Sequence, residues 1–432
     1  MKKLISALTV AVACASASPL AHAADYVLFS KGKDFPANLK AQVEAKGGTL
    51  KAVYPFGVAV ASSDTELKGL KGVTDVVADV VFDRAKPVPD IALGDEAGYP
   101  PYSSDDDFFF DLQWGHNFVN AQEAWASGIR GQGVRVAVLD GGFDLDHPDL
   151  APNINLALSA DFTGEGLQYT LPDTFSHGSH VAGTIAAADN GFGTIGVAPD
   201  AELVLVKVLG DAGSGSFADV IAGIYYAASV DADVINMSLG AVVPRDQDIT
   251  KLAVAVSQAI SYADQQGTTV IVSAGNDGMD QDGDGNLVRF MDIGEKSVPI
   301  SALTTLNWAG DPDNASLVPA SYTNYGTSGV DFGAPGGSVD YPGNEGCTVA
   351  GLARPCWVFD LVFSTGNGGW YWSAGTSMAA PHAAGVAALI ISEHGGDMKP
   401  AQVKAELRKR SMDMGKPGRD DYYGHGVTQS GY

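Results

Sequence analysis

Between residues 134 and 300 the chain repeats one pattern: a short, mostly apolar run that ends in a polar or glycine-rich turn, then a stretch with helical spacing. The runs are Val134–Leu139, Leu203–Leu209, Val234–Met237, Val270–Ser273 and Val298–Ile300. Such runs lack the alternation of a half-exposed strand, so both faces are expected to be covered. Helical spacing falls between them, over His177–Ala188, Phe217–Ser229 and Ile249–Gln266. Strands that alternate with helices predict an α/β fold, an open and mostly parallel sheet with helices on both faces. The first run ends in Asp140, Gly141 and Gly142, and ligands of such sheets bind beyond the carboxyl ends of the strands.

The N-terminal part has a different rhythm. Tyr26–Ser30, Thr49–Tyr54, Phe56–Ala61 and Thr74–Phe82 read as strands, with helical spacing over Phe35–Ala45 and a scrap of helix over Leu67–Leu70. The order β-α-β-β-α-β predicts a small α+β ferredoxin-like unit over residues 24–86, marginal in stability by itself. Residues 87–111 are rich in Pro and acid and read as a linker or processing region, which leaves 112–432 as the large domain. Ahead of all this, Lys2 and Lys3, the apolar run Leu4–Ala13 and Ala21-His22-Ala23 have the form of a secretory signal over residues 1–23. A small unit on a cuttable linker suggests a precursor; a permanent two-domain protein would show the same linker.

Charge sharpens the division. Residues 1–104 carry 11 basic and 11 acidic side chains, whereas the remainder carries 15 and 40, so the net charge of −25 lies wholly beyond residue 104, in the end of the linker and the large domain. That balance repels nucleic acid and anionic membrane and suits divalent cations. Once Cys14 leaves with the signal, Cys347 and Cys356 remain, and an oxidising compartment favours their pairing. The spaced carboxylates Asp280, Asp282 and Asp284, followed by Gly285, resemble the start of a calcium loop, but Met291 stands where a closing Glu belongs. A solvated acidic turn explains them equally well.

Candidate chemistry gathers at the helix starts. The stretch Ser373–Leu389 reads S-A-G-T-S-M-A-A-P-H-A-A-G-V-A-A-L, small enough in its side chains to be a tightly packed buried helix with Ser377 in the first turn. Free N–H groups there donate either to a capping hydroxyl, of Thr376 or Ser377, or to an oxyanion. A serine is a weak nucleophile until an imidazole takes its proton, and the imidazole needs a carboxylate to fix its tautomer. His177 opens another helix, Asp140 ends a strand, and Asn276 follows a strand with an amide that could serve an oxyanion. His180, one turn on from His177, reads as a packed core histidine rather than half of a metal pair.

These pieces form a set of motifs: V-L-D-G-G ending at Gly142, H-P-D-L from His147, H-G-S-H-V-A-G-T from His177, G-V-A-P from Gly196, V-I-N-M-S-L-G from Val234, A-G-N ending at Asn276, and G-T-S-M-A-A-P-H from Gly375. Together they resemble the subtilisin family of serine proteases with an inhibitor-like propeptide, over a span from about Trp114 to the C-terminus. The order Asp, His, Ser is that of subtilisin. The resemblance implies Ser377 as nucleophile, His177 as general base and then acid, Asp140 as the orienting carboxylate, and Asn276 as oxyanion donor with the Ser377 N–H. It implies cleft walls at Gly213, Ser214 and Gly215 and at Ser238, Leu239 and Gly240, with Ala274 and Gly275 lining the pocket before the scissile bond. A structural calcium site is implied at Asp149 and Asn190 of the loop 188–194. Gly141 departs from the Thr or Ser that commonly follows the catalytic Asp, so a backbone N–H is expected to replace the lost hydroxyl.

The expected protein is thus a secreted, monomeric serine endopeptidase of polypeptide substrates. It would be made as a self-processed precursor whose own propeptide assists folding and inhibits, with structural calcium, no nucleic-acid partner and no membrane span. The alternative, a catalytically silent binding or assembly protein on the same fold, would be marked by loss of a triad member or of Asn276, and none is lost. A lipase or esterase would carry a G-x-S-x-G elbow, which the sequence lacks.

Overall fold

The computed structural model describes residues 24–84, 88–93, 106–172, 175–240, 242–244, 246–283, 287–289 and 296–431. The expected signal over 1–23 lies outside these residues, as do residues 87 and 94–105 of the expected linker and Asp284.

The N-terminal unit contains β1 (Ala24–Ser30), α1 (Leu39–Glu44), β2 (Thr49–Val53), β3 (Val58–Ser63) and β4 (Val73–Ala78). Its antiparallel sheet has the order β2-β3-β1-β4 expected of a ferredoxin-like unit. Two details differ from the sequence pattern. The segment Leu67–Leu70 is not helical, although Leu67 and Leu70 are buried; Gly69, at φ 72°, breaks the turn between them. The apolar stretch Thr74–Phe82 is not one strand either. It divides after Ala78, and β5 (Val81–Asp83) leaves the unit to pair with the large domain. The next strand, β6 (Val88–Ala92), lies in what reads as linker and also pairs with the large domain.

That domain is built on an eight-stranded sheet. Its strands are β7 (Arg135–Asp140), β8 (Ala160–Asp161), β9 (Glu202–Lys207), β11 (Val234–Met237), β12 (Thr269–Ser273), β13 (Ser297–Thr304), β14 (Val318–Pro319) and β15 (Phe332–Pro335); β10 (Ser214–Ser216) stands outside it. The order is β14-β13-β12-β11-β7-β9-β8 with β15 also beside β13, and all pairs except β13–β14 are parallel. Within β7, Val136 and Val138 pack into one core and Ala137 and Leu139 into the other. Alternate residues therefore meet different layers that are both apolar, which is why the strand's interior, 136–139, has no polar positions.

One layer holds α2 (His177–Ala186) and α5 (Thr376–Glu393); the other holds α3 (Phe217–Ser229) and α4 (Gln247–Gln266). The N-terminal sheet rests on α3 and α4, where Tyr54 and Phe56 pack against Tyr225 and Phe56 also meets Tyr262. Lys251 Nζ lies 2.6 Å from the Asp75 carboxylate across the same contact. Near the C-terminal end, β16 (Gly346–Val349) and β17 (Leu352–Pro355) form a hairpin, and β18 (Val362–Thr365) pairs with β19 (Trp370–Ala374), which runs into α5. A Cys347–Cys356 disulfide ties the first hairpin, as its sequence suggests.

Candidate active site

Asp140 is the last residue of β7, fully buried at the carboxyl edge of the sheet. Its Oδ1 accepts the Gly141 N–H at 2.7 Å, so a backbone donor does replace the missing hydroxyl. His177 begins α2, whose start is fixed by Ser176: the Ser176 hydroxyl accepts the Ser179 N–H at 3.1 Å and donates to the Gly142 carbonyl at 2.9 Å. This cap aims the imidazole back at β7. His177 Nδ1 lies 2.8 Å and 3.0 Å from the two Asp140 oxygens. The carboxylate thus holds the Nδ1–H tautomer and leaves Nε2, which has no protein partner among the described residues, as the basic nitrogen. Burial, and after it the Arg84 guanidinium, hold this imidazole below its ordinary range, against the opposing pull of Asp140.

Ser377 is the second residue of α5, so its N–H has no intrahelical acceptor. The helix is buried from Thr376 to Ile391. Its interior Pro381 lacks the N–H that would bond the Ser377 carbonyl four residues back, and Ser238, just beyond β11, replaces that donor with its hydroxyl at 2.8 Å. Asn236 Nδ2 in turn donates to Ser238 Oγ at 2.9 Å. The Ser377 hydroxyl points to the Ser238 carbonyl at 3.2 Å. The Ser238 hydroxyl therefore serves the helix that carries Ser377. Leu239 beside it is buried, and Gly240 is partly exposed.

Asn276 is oriented by its neighbour. Its side-chain carbonyl accepts both the Thr376 N–H at 2.9 Å and the Thr376 hydroxyl at 2.7 Å, which leaves the amide N–H groups for another acceptor. Ala274 and Gly275 lead into it. Gly275 has φ 100°, its N–H donates to Thr376 Oγ1 at 3.0 Å, and a Cβ there would stand 2.2 Å from Asn324 Nδ2, so only glycine fits. Asn236 and Asn324 were not singled out from the sequence, and Thr376 only as a possible helix cap. For Thr376 the signal was its place directly before Ser377; for Asn236 and Asn324 only the packing reveals a role.

Gly213, Ser214 and Gly215 are already engaged. Ser214 pairs with Asp83, Gly215 with Phe82 and Ser216 with Val81, and the Arg84 N–H donates to the Gly213 carbonyl at 2.9 Å. Phe82 is buried against Phe217. The N-terminal unit thus lays its last strand along the wall that the resemblance gives to a peptide, and brings Arg84 into the field of Asp140 and His177.

Chain comparisons bear on what this geometry is for. Residues 131–426 match the model of the subtilase family. The chain belongs to the subtilase family. Among its relatives, subtilisin E of Bacillus subtilis (strain 168) is 35% identical over 318 residues, 73% of this chain and 69% of that protein. The thermostable alkaline protease of Halalkalibacterium halodurans is 34% identical over 322 residues, covering 74% and 73%. The minor extracellular protease Epr of Bacillus subtilis (strain 168) is 27% identical across 99% of this chain, which spans only 58% of Epr's length. Of solved structures, a lanthipeptide protease superposes with a TM-score of 0.62 at 29% identity over 74% of this chain and 94% of its own. The epidermin leader peptide processing serine protease of Staphylococcus aureus reaches 0.73 at 21% identity over 95% and 97%, a likeness of fold. By class this subtilase is a serine endopeptidase. No helix among its described residues is long and apolar enough to cross a membrane.

The subtilase's calcium candidates divide. Asp149 is buried; its Oδ2 accepts from Thr194 N at 2.8 Å, Thr194 Oγ1 at 3.0 Å and Trp370 Nε1 at 2.8 Å, whereas Oδ1 has no partner among the described residues. Burial raises its carboxyl to about 6. Asn190 lies beside it, with Nδ2 3.4 Å from the Pro148 carbonyl. An orphaned buried carboxylate oxygen next to a loop of carbonyl and amide oxygens fits a hard cation. Asp106, Asp107 and Asp189 also gather within 4.8 Å beside this loop, a cluster not singled out from the sequence; Asp107 accepts the Gly191 and Phe192 N–H groups, and Arg130 pairs with Asp189. The Asp280–Asp284 loop fits less well. Asp282 accepts from the N–H and hydroxyl groups of both Thr327 and Ser328, which pull its carboxyl down to about 2, and Asp280 accepts the Asp282 N–H. It is a clasp between two loops.

Proposed function

We propose that this subtilase is a secreted endopeptidase made as a precursor, with residues 24–86 as an inhibitory and folding-assisting prodomain and 112–432 as the catalytic domain, and that it frees itself by cutting between them. The reading rests above all on the buried Asp140–His177 pair at 2.8 Å. A neutral imidazole with its Nδ1 proton fixed on a carboxylate is the general base that a serine needs.

In this scheme the Ser377 hydroxyl turns from the Ser238 carbonyl, gives its proton to His177 Nε2, and its oxygen attacks the peptide carbonyl carbon. The oxyanion is met by the Asn276 amide and the Ser377 N–H at the positive end of α5. Collapse breaks the C–N bond, and His177 returns the proton to the leaving amine. Water then repeats the sequence in reverse on the acyl-enzyme. The acyl half of the substrate takes the place of β5 along Gly213–Ser216, a strand-addition mode that relies on backbone pairing. Calcium, where bound, would be held by Asp149, Asn190 and oxygens of the 188–194 loop and would rigidify the packing under Trp370.

Two experiments test this. Full-length Ser377→Ala should remain uncut and resist fluorophosphonate labelling; purified variant that still processes itself would overturn self-maturation. Chelation should lower the melting temperature of the native protein and calcium restore it, with Asp149→Asn abolishing the response; a chelator response that persists in that variant would move the cation elsewhere.

A further inference from the structure

The chain that lies along Gly213–Ser216 contributes a second strand to the same domain, beside the one that leads to Ser377. Residues 85–87 lie outside the described residues, but β6 begins at once on the other side. It pairs antiparallel with β19, the strand that runs into Gly375 and Ser377, with Val88 opposite Ala374, Ile91 opposite Trp372 and Ala92 opposite Tyr371. Side chains reinforce the backbone pairing. Ser373 Oγ donates to the Asp90 carboxylate at 3.0 Å, the Leu93 N–H donates to the Trp370 carbonyl at 3.0 Å, and Arg354 Nη2 donates to the Leu93 carbonyl at 3.3 Å. Leu93 is buried in the main core, and Ile91 packs against it.

Chain direction gives these two strands different meanings. Residues before a scissile bond form the acyl half and residues after it the leaving half, so β5 stands on the acyl side and β6 on the leaving side. Resting on the self-processing reading above, we propose that residues 88–93 are a strap over the leaving-group half of the cleft, which stays docked after the prodomain is severed and blocks peptides that extend beyond the bond to be cut. A cut between the two strands removes the covalent link of β5 to the catalytic domain. It leaves β6 attached through its own C-terminal side. A tethered strand acts at an effective concentration of about millimolar, so substrate at lower concentration does not displace it. Full activity on long peptides therefore needs a second event, loss of the strap by trimming downstream of Leu93, whereas a substrate with nothing beyond its scissile bond does not need the β19 edge.

The test begins with the native full-length protein, allowed to process and separated into species whose N-terminus precedes Val88 and species that begin beyond Leu93. Each is assayed with a peptide anilide, which has no residue after the scissile bond, and with an internally quenched peptide that has five. The strapped species should match the trimmed one on the anilide and fall about tenfold or more below it on the long peptide, by the tether argument. Equal rates on the long peptide overturn the strap. Asp90→Ala, which removes the Ser373 contact at an exposed position, supplies a second reading: it should shorten the lag before long-peptide activity appears without changing the rate of the first cut, and an unchanged lag overturns the strap. Continued cutting of Ser377→Ala would instead overturn self-processing, because the species comparison holds whichever protease makes the first cut.

Discussion

Pro381 and Ser238 explain each other. A proline inside a buried helix frees one carbonyl, here that of Ser377, and a buried unpaired carbonyl is costly, so the Ser238 hydroxyl is required where it is. The two residues thereby join the start of α5 to the end of β11 and hold Ser377 against the sheet edge that carries Asp140. Ser238→Ala should lower stability by about 1–3 kcal/mol, the cost of an unsatisfied buried polar group. It should also slow fluorophosphonate labelling of Ser377, as the helix start loosens. Thermal melting beside a labelling time course checks both, and an unchanged melt would mean that another donor reaches the carbonyl. Asn276 shows the same economy: Thr376 uses both its N–H and hydroxyl on the amide oxygen, so the orientation of the Asn276 amide and the start of α5 are one structural fact.

The elements that carry the site are rigid because they are packed without slack. In α5 a Cβ on Gly385 would stand 2.5 Å from the Val197 Cβ, and on α2 a Cβ at Gly183 would stand 2.2 Å from the Thr365 hydroxyl oxygen. Small residues in these helices are therefore the condition of their burial against neighbours. Gly385→Ala, although it raises helix propensity, should destabilise by about 1–3 kcal/mol because overpacking outweighs that gain. Urea unfolding of the variant checks the sign, and a more stable variant would show that Val197 can move aside. The disulfide belongs to this scale also. It closes a separation of only 9 residues within one hairpin, about 2–3 kcal/mol on the chain-entropy account, a local tie on a loop near β19.

Over the whole molecule, an acidic catalytic domain holds a small unit by a largely apolar contact that includes two poorly solvated carboxylates. Asp79 accepts the Ala218 N–H at the start of α3 at 3.3 Å, and Asp219 lies one residue further on. Burial raises each to about 6, for Asp79 with a further push from Asp25 and for Asp219 with pushes from Asp79 and Asp25; Lys51 pairs with Asp25, and Lys251 with Asp75 nearby. Were the unit to depart, as the proposed cut would allow, both carboxyls would return toward the ordinary carboxylate range. The docked state thus binds protons more tightly, so docking is strongest when both are protonated and weakens as pH rises from about 4 to about 6. Release of the severed unit should be about tenfold or more faster at pH 7 than at pH 4.5, after allowing for solvent screening at half-buried groups. Size-exclusion chromatography of the cut complex over time measures it, and release that slows with rising pH would refute the assignment.

How much of this was legible in the sequence follows from the range of each interaction. Mostly apolar runs ending in Asp140 or Gly275-Asn276 announce strands buried on two faces and the edge they share, because burial on both sides imposes itself on consecutive residues. Helix starts at His177 and Ser377 are equally local, set by hydroxyls and missing amides. The family motifs add the order of the reacting groups. The break in Thr74–Phe82, the strand within the expected linker and the service of Ser238 to Ser377 were not legible. Each joins residues far apart in the chain, and an apolar strand reads the same whether it completes its own sheet or crosses to a neighbour's. The same holds for Asp282, whose pattern suits a cation until Thr327 and Ser328 arrive. By itself the sequence determined the sheet, the burial of the helices and the chemical kind of the site. Only the tertiary structure decided which strand lies along Gly213–Ser216 and which carboxylates keep a free oxygen, because those depend on which distant groups reach the same point in space.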